Sequence, residues 1–325
     1  MVAFLATAGA QNEGQYTHFM FNRLSYNPAY AGSSGNISLT ALYRYQWIGL
    51  NLQAPNGVDE AGSTPQDILF SFDMPVSWLH GGVGLNFNSE KVGYHDNLNM
   101  ALDYAFRIFW GPGNLAAAIE VDLFNYKFNT EYLRGSDDFS SDPSASVGSS
   151  SDPLVNGRAT SDFLIDFSTG LYYQVPGVWY VSLSAKNLLG SKSESFNFSN
   201  VRTFYLMAGY EYRFPYNPSI TLKPSMLVKT AEFSVFQADF ACLVDYENTF
   251  WGGLGYRWGD SFNILVGINF LKYFRVGIAY DLTTSRIGFG NGRSIGSAEI
   301  FLNGSFQINV PKRPPTVSRN TIHLY

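Results

Sequence analysis

The stretch Asn97-Leu98-Asn99-Met100-Ala101-Leu102-Asp103-Tyr104-Ala105-Phe106-Arg107-Ile108-Phe109-Trp110 carries an apolar side chain at every even position. Leu98, Met100, Leu102, Tyr104, Phe106, Ile108 and Trp110 stand on one parity, and Asn97, Asn99, Ala101, Asp103, Ala105 and Arg107 on the other. Successive side chains of a strand point to opposite faces, so this is a strand with one purely apolar face and one polar face. A run of this length exceeds the roughly 5 to 6 residues of an ordinary soluble strand. It meets the roughly 9 to 11 residues that a tilted strand needs to cross a bilayer.

The same rule holds over 36–47, where Ile37, Leu39, Ala41, Tyr43, Tyr45 and Trp47 alternate with Ser38, Thr40, Arg44 and Gln46, and Leu42 is the one exception. Carried along the chain it predicts fourteen strands, near 36–47, 66–74, 82–89, 96–109, 114–127, 161–174, 178–187, 202–214, 219–229, 233–245, 249–258, 261–271, 273–283 and 297–310. An even count suits a bacterial barrel.

A soluble sandwich also alternates, and three features decide against it. Charge is absent from the apolar parity, as in Ile68, Phe70, Phe72 and Met74, or Phe204, Leu206, Ala208, Tyr210, Tyr212 and Phe214; a charge there would cost roughly 2 to 4 kcal/mol at the bilayer midplane. Aromatics gather at strand ends (Tyr43, Tyr45 and Trp47; Phe106 and Trp110; Tyr256 and Trp258), where a headgroup layer would hold them. Short turns at Gly111 to Gly113, Pro176-Gly177 and Pro215 to Pro218 alternate with longer connections at 48–65, 128–160 and 188–201. Short periplasmic turns and long external loops give that asymmetry, which weakens after residue 230.

Composition agrees. The chain is 17% aromatic and 14% charged, against roughly 25% charged in an average soluble domain, so something other than water faces many side chains. A net charge of −5 provides no field for nucleic acid. The single cysteine, Cys242, excludes an internal disulfide and falls on the apolar parity, where an inert, lipid-facing thiol is expected. Met1 to Ala10 is apolar and ends Ala8-Gly9-Ala10, a pattern of secretory cleavage, so 1–10 reads as the remnant of a signal peptide. The expected plan is then an N-terminal plug or periplasmic segment over 11–35, the transmembrane barrel over 36–310 and a periplasmic tail over 311–325.

The polar parity carries Arg44, Asp103, Arg107, Glu120, Asp122, Asp166, Glu211, Arg213, Arg257 and Arg275, and also Asp162, Lys186, Lys223, Lys229, Asp239, Asp281 and Glu299. Both signs are present, so a solvated or salt-bridged lumen wall is the expectation. Fourteen strands leave room inside for a plug or a narrow pore. Tyr16, Phe19, Phe21, Tyr26 and Tyr30 make 11–35 too apolar for a free tail and place it in or against the lumen. The Ser-rich run 140–151 reads as surface loop.

A search for chemistry returns little. His18, His80, His95 and His323 have no metal-ligand spacing and read as loop or turn residues. No nucleophile-elbow motif occurs. The Gly-rich runs at 252–255 and 288–292 open no helix and read as barrel and turn glycines. No catalytic residue, metal or cofactor is expected.

The segment Gln15 to Ser33, strongest over Phe21-Asn22 and Asn27-Pro28-Ala29-Tyr30-Ala31-Gly32, and the following Tyr43, Arg44, Gln46 and Trp47, resembles the PorP/SprF family of outer-membrane proteins in the Bacteroidota. That resemblance implies a non-enzymatic barrel of the type IX secretion and gliding machinery. Its implied partners are type IX components and a large surface protein, typically an adhesin, delivered or retained through its C-terminal domain, with outer-membrane lipid around the wall. The motif residues would serve as plug or partner contact. Physically, Asn27-Pro28 initiates a turn and Gly32 releases the chain before the first strand. Fatty-acid channels also have fourteen strands and an Asn-Pro-Ala turn in an N-terminal plug, so a channel for small hydrophobic solutes is the alternative, with a barrel-embedded lipid hydrolase a distant third.

Overall fold

The computed structural model describes residues 14–49, 64–93, 95–128, 160–193, 198–285 and 294–307. The stretch 1–10 read as a signal-peptide remnant, the Ser-rich run, the 288–292 glycines and the 311–325 segment lie outside them. In chain order the strands are β1 (Asn36–Ile48), β2 (Gln66–Val76), β3 (Gly81–Val92), β4 (His95–Trp110), β5 (Gly113–Phe128), β6 (Thr160–Val175) and β7 (Trp179–Lys186). A small ribbon follows, β8 (Lys192–Ser193) and β9 (Phe198–Ser199), and then β10 (Thr203–Tyr210), continued past Glu211 by β11 (Tyr212–Arg213). The rest are β12 (Ile220–Ala231), β13 (Val235–Tyr246), β14 (Phe250–Arg257), β15 (Ser261–Phe270), β16 (Phe274–Thr283) and β17 (Gly296–Gln307).

The main sheet has 15 strands, of which β10 and β11 form one interrupted stave, leaving 14. Every stave pairs antiparallel with its neighbours, and the ring closes where β17 returns to β1, from Asn36 opposite Gln307 to Tyr45 opposite Ala298. Closure leaves no open edge, which is the condition for a sheet in lipid. Both β1 and β17 have their free ends on the side of the short turns, which is therefore the periplasmic side.

The outward parity is the apolar one. Leu39, Phe70, Leu102, Ile119, Ile165, Leu254, Ile278 and Ile300 are all exposed on the outer face, and Cys242 is exposed among them. Two local features depart from the sequence pattern. The strand expected over 202–214 breaks at Glu211, whose N–H turns to the Val178 carbonyl (2.7 Å). The connection after β7 is no plain loop: β7 ends at Lys186 while β6 runs on, and the Asp166 carboxylate on β6 accepts the N–H groups of Leu189 (2.8 Å) and Ser191 (3.1 Å), holding the chain that leads into β8.

Inside, the chain fills its own barrel. Tyr16, Phe19, Met20, Leu24, Tyr26, Ala29 and Ala31 are buried and form one apolar cluster with Leu42, Leu69, Tyr172, Met207, Leu265 and Phe301 of the wall. Leu42, the exception to the alternation in β1, is an inward residue that packs in this cluster. The N-terminal segment thus buries part of the lumen wall, apolar and charged residues alike, and only part of the expected polar lining is solvated.

Candidate functional site

Near the start of the plug stand Thr17 and His18, whose backbone N–H groups both donate to the Glu299 carboxylate at 2.8 Å. The His18 Nδ1, at 2.6 Å from the same carboxylate, must carry its proton to bond there. Glu299 lies opposite Arg44 across the seam between β17 and β1, and Arg44 spans Glu299 (3.1 Å), the Thr17 hydroxyl (3.0 Å) and Asp281 (2.7 Å). Thr17 in turn donates to Asp281 at 2.8 Å. Arg257 extends the cluster, pairing with Asp239 at 2.6 Å and Asp281 at 3.5 Å. The two guanidiniums and Glu299 are 1% exposed, so none of these charges has water as a substitute partner. One network therefore clasps the seam of the barrel and the start of the plug together.

The Asn-Pro-Ala-Tyr-Ala-Gly motif is the second anchor. Asn27 caps a single 3-10 turn, Pro28–Tyr30, accepting the Ala29 N–H at 2.8 Å, and Pro28 supplies a first turn position where no N–H is needed. The Asn27 amide NH2 donates to Leu171 O (2.9 Å), Ser182 Oγ (2.7 Å) and Leu183 O (3.0 Å), so this one side chain ties the plug to β6 and β7. It fits because position 170 is glycine: a Cβ there would lie 2.0 Å from the Asn27 Oδ1. Replacing Asn27 with Leu, close in shape, is expected to lower stability by about 1 to 3 kcal/mol; urea unfolding of the micelle-bound barrel measures it.

Gly32 leaves the motif at φ +66, with no room for a Cβ, which would meet Met74 O at 2.8 Å. Its N–H donates to Asp73 (2.9 Å), while Arg107 donates to Gly32 O (2.8 Å), Ala31 O (2.7 Å) and the Ser33 hydroxyl (2.9 Å). Ala29 and Ala31 are fully buried. Phe21 packs on Phe301 (5.1 Å between centroids) and Trp251 (4.9 Å), and Asn22 accepts from Ser25 (2.9 Å). Tyr30 meets Tyr172 edge-on at 5.5 Å. Burial holds the Tyr26 and Tyr30 phenols well above their ordinary range, so both are neutral.

The remaining charges divide by place. Asp103 lies opposite Glu120, and Asp122 opposite Asp166, on neighbouring staves; Lys186 stands 3.3 Å from Glu120 and donates to the plug at Ser25 O (3.0 Å). Asp122 accepts from Ser168 at 2.6 Å. Glu211 and Arg275 line a space at the periplasmic end. Arg213, past the break at Glu211, is exposed at the barrel's rim, opposite Thr221 of β12 and so on the inward parity of Lys223 and Leu227. Sequence reading passed over Arg23, whose guanidinium sits 3.8 Å over the Tyr180 ring and bonds the Tyr172 hydroxyl (3.1 Å). It also gave His18 no role beyond a turn. No local pattern marks either residue, because their partners lie far along the chain.

The geometry finds a counterpart in known sequences, for residues 8–303 match the family described as Type IX secretion system membrane protein PorP/SprF. The chain belongs to the PorP/SprF family. Its plug motif, seam network and barrel are therefore parts of a type IX secretion membrane protein, and the barrel fold places it in the outer membrane. No curated protein matches in sequence. Among solved structures, the chain is similar to the outer membrane protein Omp33 of Acinetobacter baumannii, at 5% identity and TM-score 0.45, covering 84% of this chain and 99% of that one. It is also similar to the toluene transporter TbuX of Ralstonia pickettii (10% identity, TM-score 0.47, 87% and 93% covered) and to a FadL homologue of Pseudomonas aeruginosa (8%, 0.41, 86% and 92%).

Proposed function

We propose that this PorP/SprF barrel helps to secrete or anchor a large cell-surface protein, an adhesin of the gliding type, acting on that protein's C-terminal domain without enzymatic chemistry. The observation that supports this reading is the use made of the family motif. Asn27, Ala31 and Gly32 are engaged in holding the plug to the wall, and the plug fills the lumen beside a buried charged network. A lumen sealed by ion pairs suits a docking platform better than a conduit for hydrophobic solutes, since an apolar solute would have to displace bonded charges. The work of the barrel then falls to its two mouths.

Affinity purification of the tagged barrel from gently solubilised outer membranes, with mass spectrometry of what remains bound, tests this. The expected result is recovery of type IX components together with one large secreted protein, whose surface display is lost when the barrel gene is deleted. Recovery of the barrel alone, with lipid or hydrocarbon in its lumen, would sink the anchoring role in favour of solute uptake.

A further inference from the structure

The plug does not fill the periplasmic mouth evenly. Its 3-10 turn packs against β4, β5 and β6, and on the opposite side a vestibule of about 830 Å³ remains, bounded by the β13–β14 and β15–β16 turns. We propose that this vestibule is a binding site for a carboxylate of an acidic peptide segment, with Arg275 as the group that receives it.

Arg275 differs from the other inward arginines in what it lacks. Arg44 and Arg257 are neutralised by carboxylates, and Arg107 gives both its terminal nitrogens to two carbonyls and a hydroxyl of the plug. Arg275 makes one hydrogen bond, from Nε to Asn269 Oδ1 at 2.7 Å, and lies 4.7 Å over the Phe21 ring. Among the described residues no carboxylate lies within ion-pairing distance of it. A guanidinium pinned at Nε, with its Cζ over a ring, keeps its two terminal nitrogens as a fork, the geometry that a carboxylate accepts with both oxygens.

The surroundings add to the same field and narrow the ligand. Arg23 and Lys272 also line the space and have no carboxylate within ion-pairing distance among the described residues, whereas Lys223 is paired with Asp245 at 3.0 Å. Glu211 and Glu247 stand in the same lining, so a densely anionic ligand is disfavoured and a segment with spaced carboxylates is favoured. Ser34, Thr249 and Asn303 provide side chains that can bond a peptide backbone. The space opens inside the barrel mouth, away from the lipid-facing wall, which favours a peptide over a lipid headgroup. The proposal requires the orientation of the barrel and is independent of the adhesin reading.

Fluorescence anisotropy of the full-length barrel in uncharged detergent, titrated against a labelled peptide alternating Ser and Asp and its Ser-Asn counterpart, tests it. The Ser-Asp peptide is expected to bind and the Ser-Asn peptide not, with affinity falling as salt rises. Arg275→Gln should weaken binding by about tenfold or more, and Arg275→Lys should restore only part of it. Lys272→Ala, on an exposed turn away from the wall's packing, should weaken it by a smaller factor while leaving the barrel folded. Equal binding of the two peptides, or full affinity in a folded Arg275→Gln barrel, would overturn the proposal. Displacement by short-chain phosphatidylglycerol but not by acetate would reassign the site to a lipid phosphate and overturn it as well.

Discussion

Replacing Glu299 with Gln is expected to lower the unfolding free energy by about 3 to 5 kcal/mol, the range for breaking a buried ion pair on one side only. Glu299 accepts two backbone N–H groups of the plug, the His18 ring and one arm of Arg44. An amide has one acceptor oxygen, and its NH2 would face donors where a carboxylate now accepts. Arg44 would keep Asp281, but its other arm and the Thr17 and His18 N–H groups would compete for the single oxygen left. Urea unfolding in micelles, read by tryptophan fluorescence, measures the loss. Trp251 is a suitable reporter, because it lies edge-on to His18 at 5.9 Å and senses the plug directly. An Arg44→Met/Glu299→Met double variant should lose less than the sum of the two single ones, since removing both charges leaves neither stranded. A Glu299→Gln barrel within about 0.5 kcal/mol of the wild type would mean that the network does not hold the plug.

The wall was legible in the sequence because two different solvents impose opposite demands on adjacent residues. Lipid tolerates no charge on Leu102 or Phe106, while the lumen tolerates Asp103 and Arg107 between them, so a strand read as 96–109 emerges as His95–Trp110. The plug was legible only as composition: five aromatics in 11–35 demanded cover, but nothing local says what covers them. The bond from Thr17 to Glu299 joins residues 282 apart, and such a contact leaves no mark on either neighbourhood. Two signals did exist. Apolar residues on the polar parity, Leu42, Leu69, Leu265 and Phe301, are where the lumen is dry. Arg44 on the first strand and Glu299 on the last had to face each other once the barrel closed, so the seam is a place where charges at opposite ends of the sequence are forced together. Gly170 was not recognisable, because its lack of a side chain matters only to Asn27, which arrives from the other end of the chain.

Removal of residues 14–35 is expected to turn a closed barrel into a conducting one. Barrels of eight strands are filled by their own side chains, and those of sixteen to eighteen hold an aqueous channel. At fourteen staves the lumen takes in the plug, whose residues pack in one cluster with the wall's inward side chains. Its Phe19, Met20 and Leu24 are each at most 5% exposed, and burial of each stabilises by about 1.5 to 3 kcal/mol. Without them Leu42, Met207 and Phe301 would face water, and the Arg44, Asp281 and Glu299 charges would hydrate. The truncated barrel should therefore be less stable, yet still closed through the β1–β17 ladder, which the plug does not form. In planar bilayers the intact protein is expected to give no steady current and the truncated one clear conductance steps. Gly82→Val offers a test that keeps the whole chain: a Cβ at this position would lie 2.2 Å from Ala31 O, so the motif has to lift from β3, and intermittent steps are expected. If the intact barrel conducts as well as the truncated one, the plug does not seal the lumen, and passage of a small solute regains the ground that the closed structure denies it.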